Sequence, residues 1–188
     1  WYIPTAPRGS PYSGTTWYVD SSFDATRQQV IGTRFLDLVR DEPWQKSNPH
    51  WDVAVIDHDL AEAVGEQAVE GRRPEFVLGA VAPELAMVLS VYRLRGIVRA
   101  EQREQALRRL VVHHFGQVLG LPSASRQGDV ERVGNRRYCT NRCVMRRAAT
   151  VEEVVRAAEQ EGGAEVALCD HCRHDIIEIM VMRGRSPN

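Results

Sequence analysis

Lysine is nearly missing from this chain: of its 24 basic residues only Lys46 is a lysine, and the rest are arginines. Cysteine is scarce too. The four cysteines all fall in the last third of the sequence, too few for a disulfide-built secreted scaffold. No apolar run approaches the roughly 18 residues of a membrane span. No basic segment leads into an apolar stretch at the start, so no secretory signal is expected; the chain reads as cytoplasmic, with no membrane partner. An excess of one sign of charge is also lacking. The 24 basic and 25 acidic residues leave a net charge of -1, which excludes a strongly basic whole-chain binder of nucleic acid. What is present is ordinary globular composition, 43% apolar and 26% charged over 188 residues. That suffices for one domain, or a domain with a small appended lobe.

The order of elements reads as α/β. Thr16-Trp17-Tyr18-Val19 is β-rich. Asp24 is a candidate cap for a helix reaching about Val39, with Val30, Ile31, Phe35, Leu36 and Leu38 as its apolar stripe. The stretch Pro43 to Pro49 is a break. Val53-Ala54-Val55-Ile56 is a short apolar run ending at Asp57 and Asp59, which suits a buried strand with polar residues at its tip. Gly65 to Pro74 reads as a loop. Phe76 to Val81 and Met87 to Tyr92 read as two further strands. The strongest helix runs from Ala100 to Leu119, where Leu107, Leu110, Val111, Phe115, Val118 and Leu119 recur at three and four residues. Gly120 stands where a helix-ending glycine would, and Pro122 blocks continuation. Ser123 to Tyr138 reads as a loop. Thr150-Val151-Glu152-Glu153 is a capping box for a helix that stops at Gly162-Gly163, and a last helix starts near Asp170. The expected architecture is a mixed, mostly parallel twisted sheet with two main helices, divided into an N-terminal part, 1–120, and a C-terminal part, 121–188.

The C-terminal part concentrates charge and cysteine. Residues 121–149 hold seven arginines (Arg126, Arg132, Arg136, Arg137, Arg142, Arg146 and Arg147) against two acidic residues. A solvated loop balanced by the acidic tail is one reading; contact with phosphate or nucleic acid is another. Cys139 with Cys143, and Cys169 with Cys172, form two close pairs. Each pair can bite a metal from one turn, and the chain between them closes a tetrahedral thiolate site for one structural zinc ion. Two local disulfides, or a redox pair at a helix start, are the alternatives. His171 and His174 flank the second pair and are surplus to four thiolates.

The C-terminal end of the strong helix, Val112-His113-His114-Phe115-Gly116-Gln117-Val118-Leu119-Gly120-Leu121-Pro122-Ser123, falls on the metzincin pattern H-E-x-x-H-x-x-G-x-x-H. His113 takes the first ligand place and Gly120 the turn. His114 stands for the general-base Glu, Gln117 for the second His, and Ser123 for the third. Downstream, Cys139-x3-Cys143-Val144-Met145 precedes Cys169-x2-Cys172. Upstream, Val55-Ile56-Asp57-His58-Asp59-Leu60, Phe76-Val77-Leu78-Gly79, Val88 to Leu94, and Arg27-Gln28 within Asp24 to Leu38 add further matches. In this combination and order the chain resembles the archaemetzincins, a family of metzincin-type zinc metallopeptidases. The resemblance covers most of the chain. It departs from the family pattern in the Arg-rich insertion 124–138, a first cysteine pair shorter by one residue, and a longer spacer before Cys169.

The resemblance implies a metzincin-like twisted mixed sheet with two main helices and a small C-terminal lobe held by zinc, with Met145 forming a hydrophobic base under the metal site. The catalytic set itself is degenerate. Two of three ligands and the general base are replaced, and neither a neutral amide nor a serine hydroxyl offers the basic nitrogen or thiolate that zinc prefers. His114 follows His113 directly, so the two side chains diverge by about 100° on a helix. The function expected is therefore that of a metallopeptidase homologue without catalytic zinc: a pseudoenzyme that keeps one structural zinc, needs no organic cofactor, and holds a peptide or protein in a vestigial cleft. Two other functions compete: an atypical active peptidase that recruits His58 or Asp59 as a rescue ligand, and a module that binds nucleic acid or an acidic partner through the Arg-rich loop.

Overall fold

The computed structural model describes residues 11–62, 76–161 and 167–184. The loop expected at Gly65 to Pro74 and the helix end expected at Gly162-Gly163 lie outside these. The first described element corrects the sequence reading: Thr15–Ser22 is a helix, α1, not a strand. Tertiary contact overrides its β-propensity, because one helical face turns Tyr18, Val19 and Ser22 into the core. The Tyr18 ring packs 5.4 Å from that of Phe35, its hydroxyl donates to Glu42, and Ser22 Oγ closes the turn by donating to the Tyr18 carbonyl at 2.5 Å.

Asp24 caps a turn, not a helix. Its Oδ1 accepts from the backbone N–H of Thr26 at 3.0 Å and of Arg27 at 3.2 Å, and Gln28 then takes a positive φ of 55°, which ends any helical run. Val30 and Ile31, read from the sequence as helical, instead form strand β2 (Gln29–Ile31), antiparallel to β1 (Phe23–Asp24). The helix α2 begins only at Gly32 and runs Gly32–Arg40, burying Phe35, Leu36 and Val39. A short helix α3, Pro43–Ser47, starts at a proline, whose missing N–H costs nothing at a first turn.

Strand β3 (Asp52–Ile56) pairs in parallel with β6 (Ala86–Ser90), and β5 (Gly79–Ala82) pairs antiparallel with β6. β4 (Leu60–Ala61) runs parallel to β2, and Leu60 bridges to Val77 just ahead of β5, so the two small sheets meet there. The sheet is mixed, not mostly parallel. β6 is buried along its whole length. β3 is an edge strand among the described residues, and it is not the buried strand expected: Val53 and Val55 are each 49% exposed and only Ile56 is buried. Asp59, at its tip, is held by Arg93 through Nε at 2.8 Å and Nη2 at 2.7 Å and by Gln29 at 2.9 Å.

Helix α4, Ala100–Leu119, occupies the span the periodicity predicts. It ends at Gly120 (φ 97°), where the N–H of Gly120 reaches Gln117 O and that of Leu121 reaches Gly116 O, the paired bonds of a Schellman motif. One side of α4 covers the sheet, with Val118 against Met87 and Leu89. Another side takes α5, Val151–Gln160, which opens with the expected Thr150–Glu153 capping box; Leu110 and Ala106 pack there with Val154. Arg109, 1% exposed, is locked between Glu161 at 3.2 Å and the Arg146 carbonyl at 2.9 Å. The stretch Ser123 to Tyr138 is not all loop. It contains the hairpin β7 (Val130–Val133) and β8 (Arg136–Cys139), turned at Gly134-Asn135 with Gly134 at φ 60°. Helix α6, Asp170–Gly184, closes the described chain.

Candidate metal centre and the degenerate cleft

The hairpin strand β8 delivers Cys139, the following turn delivers Cys143, and the entry to α6 supplies Cys169 and Cys172. Their four sulfurs lie within 4.8 Å of one another. Cys139 Sγ and Cys169 Sγ are 3.7 Å apart, while a tetrahedron with Zn–S bonds of about 2.3 Å has edges of roughly 3.8 Å. Cys139, Cys143 and Cys172 are fully buried. Backbone N–H groups of Met145 (3.4 Å) and Cys169 (3.3 Å) point at Cys143 Sγ, and Arg126 Nη1 points at Cys172 Sγ at 3.3 Å, as donors to thiolates do. Contact among the sulfurs splits their acidities. Hydrogen bonds from Cys143 and Cys172 hold the Cys139 thiol far below the usual thiol range. The Cys143 thiol is pushed up to about 12, first by its contact with Cys139, and that of Cys172 is raised for the same reason. Four thiols this close, three of them fully buried, cannot all ionise beside one another; a divalent cation removes the conflict, and the donor set fits zinc.

The other candidate residues sit on α4. His113 is 5% exposed. Its Nδ1–H donates to the Val144 carbonyl at 2.8 Å, and its ring lies nearly parallel to that of Tyr138, 5.9 Å away. His114 donates from Nδ1 to the Leu110 carbonyl at 2.8 Å, and its Nε2 presses on Gly79 of β5 so closely that a Cβ there would stand 2.6 Å away. Burial drives both imidazoles to the neutral form. That of His113 is lowered to about 4; that of His114 falls well below its usual value, with His113 adding to the effect. Gln117 is 9% exposed, and among the described residues its Oε1 has no hydrogen-bond partner. Met145 is fully buried against Gly116 of the same helix.

The structure thus brings His113, His114 and Gln117 to one small recess and sets Met145 under the helix that carries them. Ser123 is turned elsewhere: its N–H donates to Asp175 of α6 at 3.0 Å and its hydroxyl meets that of Ser125 at 2.7 Å. His58 is exposed, Asp59 is bound by Arg93, and neither lines the recess. Sequence reasoning missed Tyr138 and the placement of Arg136. Arg136 lines the recess and pairs with Glu62 at 2.6 Å. The two-residue Gly134-Asn135 turn was the available signal for the hairpin that positions both. Beside the recess lies a cavity of about 450 Å³ between α2, β5 and the end of α4, which Gln117, Arg136 and Arg137 also line. Of the seven clustered arginines, Arg126 binds Asp175 at 3.1 Å, Arg136 binds Glu62, Arg137 donates to the Arg126 carbonyl, and Arg146 donates to Gln160 at 2.9 Å.

An α/β core thus carries a four-cysteine lobe, and the long helix α4 bears the adjacent His113 and His114. No protein-family model matches the chain, and no curated protein matches it. Among solved structures, the archaemetzincin of Methanopyrus kandleri is similar in fold, with a TM-score of 0.60 at 21% identity over 86% of this chain and 72% of that one. The fold is therefore archaemetzincin-like, as the sequence resemblance implies, and among the described residues no helix is long and apolar enough to cross a membrane.

Proposed function

We propose that this chain is an archaemetzincin-like protein that holds zinc in its four-cysteine lobe, through Cys139, Cys143, Cys169 and Cys172, and does not hydrolyse peptides. One observation carries the second part. Among the described residues the recess around His113 is lined by two arginines, Arg136 and Arg147, and by no carboxylate. His113 alone still suits a metal, since an Nδ1–H bonded to a carbonyl leaves Nε2 basic. The rest of the set opposes one: a neutral amide at Gln117, a serine that faces Asp175, and the fixed positive charge of Arg136. With one metal-competent nitrogen in place of three ligands, Lewis-acid activation of water is not supported; no carboxylate is at hand to take the proton, and burial leaves both imidazoles poor bases for it. A retained role is binding an extended peptide along β5, whose residues Ala80, Val81 and Ala82 line the neighbouring cavity; adding a strand requires only backbone groups and side pockets.

The purified protein tests this by zinc analysis and hydrolysis of unstructured peptides with and without chelator. Cysteine-dependent zinc that Cys172→Ser releases, and no chelator-sensitive cleavage, are expected. Cleavage that a chelator abolishes and His113→Ala removes would promote the atypical peptidase instead.

A further inference from the structure

A second set of metal-competent side chains stands outside the lobe and the recess. Glu42 lies at the N-cap of α3, Asp52 is the first residue of β3, and His50 sits on the loop between them. One donor atom from each falls within 4.8 Å of the others. We propose that Glu42, His50 and Asp52 bind a divalent transition-metal ion of the zinc class, independently of the cysteine lobe.

Three observations support the assignment. The first is the geometry of the nitrogen ligand. His50 Nδ1 lies 2.8 Å from the Asn48 carbonyl, which accepts only, so Nδ1 carries the proton and Nε2 is the basic nitrogen in the neutral ring. Nε2 is 3.3 Å from Asp52 Oδ2, and a tetrahedral site with bonds of about 2.0–2.1 Å has edges of roughly 3.3–3.4 Å.

The second is that the ligands are held in place. Gln45, 5% exposed, accepts from the His50 N–H at 3.0 Å and donates to the His50 carbonyl at 2.8 Å and to Asp52 Oδ2 at 2.8 Å. One buried amide therefore fixes the loop carrying the imidazole relative to the strand carrying the carboxylate, and Tyr18 fixes Glu42 through its hydroxyl.

The third is charge. Glu42 is 5% exposed, and among the described residues no lysine or arginine pairs with it or with Asp52, whose one ion-pair partner is His50. Two facing carboxylates beside an imidazole whose Nε2 faces one of them are a set that a dication completes. The mixed nitrogen and oxygen donors favour zinc, cobalt or manganese over calcium and magnesium, which take oxygen alone.

The test uses the full chain with its cysteine site zinc-loaded. Equilibrium dialysis against buffered zinc is expected to find a second ion per chain beyond the cysteine-held one. His50→Ala and Asp52→Asn should each weaken that second ion at least about tenfold while leaving the cysteine-held ion in place. Cobalt in the second site should give d–d bands without thiolate charge transfer, which also separates this site's failure from failure of the lobe. The His50 side chain is 36% exposed, so its loss leaves folding intact, and an unchanged urea midpoint checks that. Equal zinc content in the wild type and in His50→Ala would overturn the proposal and reduce the cluster to an Asp52–His50 ion pair.

Discussion

Replacing Gly116 by alanine should destabilise this protein, against the usual sign of that exchange inside a helix. Helix propensity alone favours alanine by about 1 kcal/mol. Here the new Cβ would stand 2.5 Å from Met145 Sδ and 3.0 Å from its Cε. A methionine normally yields, but Met145 is fully buried in one cluster with Leu121, Cys143 and Val144, and moving it drags the Val144 carbonyl away from His113. Overpacking of this kind costs about 1–3 kcal/mol, so the net loss is about 1 kcal/mol. The strength of the argument lies in a reversal. Met145→Ala, itself costing about 2–5 kcal/mol, empties the space; in that background Gly116→Ala should stabilise by about 1 kcal/mol. Equilibrium urea unfolding of the four proteins gives the coupling, expected at about 2 kcal/mol. If Gly116→Ala stabilises equally in both backgrounds, Met145 does not lie against the helix and the placement of this turn is wrong.

The buried pair of Arg109 and Glu161 gives a second expectation. Arg109→Ala should cost about 3–5 kcal/mol by stranding a buried carboxylate, whereas the joint change Arg109→Met with Glu161→Leu should be close to neutral, as read from thermal or urea unfolding. pH supplies a third. The folded value of about 4 for His113 lies below the ordinary imidazole value of about 6.5, so the unfolded chain binds the extra proton between these limits. Stability is full above pH 6.5 and is lost as pH falls from there to about 4, by about 3 kcal/mol from this group. A His113→Gln variant should lose less over that window; parallel curves for the two proteins would contradict the assignment.

Legibility in the sequence followed the range of the interactions involved. Helix α4 and its end at Gly120 could be read because a three-and-four periodicity, a glycine and a proline are all local signals, and the Thr150 capping box is equally self-contained. The clustering of the cysteines could be read because short spacings let each pair present two thiols from one turn. Helix α1 could not: the bonds that favour helix over strand there reach Phe35 and Glu42. Val53 and Val55 share one face of β3, and among the described residues that face is left half uncovered; the sequence does not report which face of a strand stays open. Arg136 came to the recess through Glu62, 74 residues away, so an arginine that reads as solvated in sequence becomes a wall of the site. The broken histidine motif was legible, but the fate of each position was not. Ser123 could be aligned with a ligand, yet its bond to Asp175 exists only once α6 has docked.

Cys143, Val144 and Met145 are consecutive, and each answers to a different part of the molecule. The first joins the sulfur cluster, the carbonyl of the second accepts from His113, and the third fills the space beside Gly116. A tripeptide about 10 Å long when extended is thus a three-way junction between the sulfur cluster, the recess and the long helix. Removing the lobe would strip the long helix of a floor and of an acceptor at the same stroke. A shift of the sulfur cluster would reach the recess through the two peptide units beyond Cys143 and the hydrogen bond from His113 to the Val144 carbonyl.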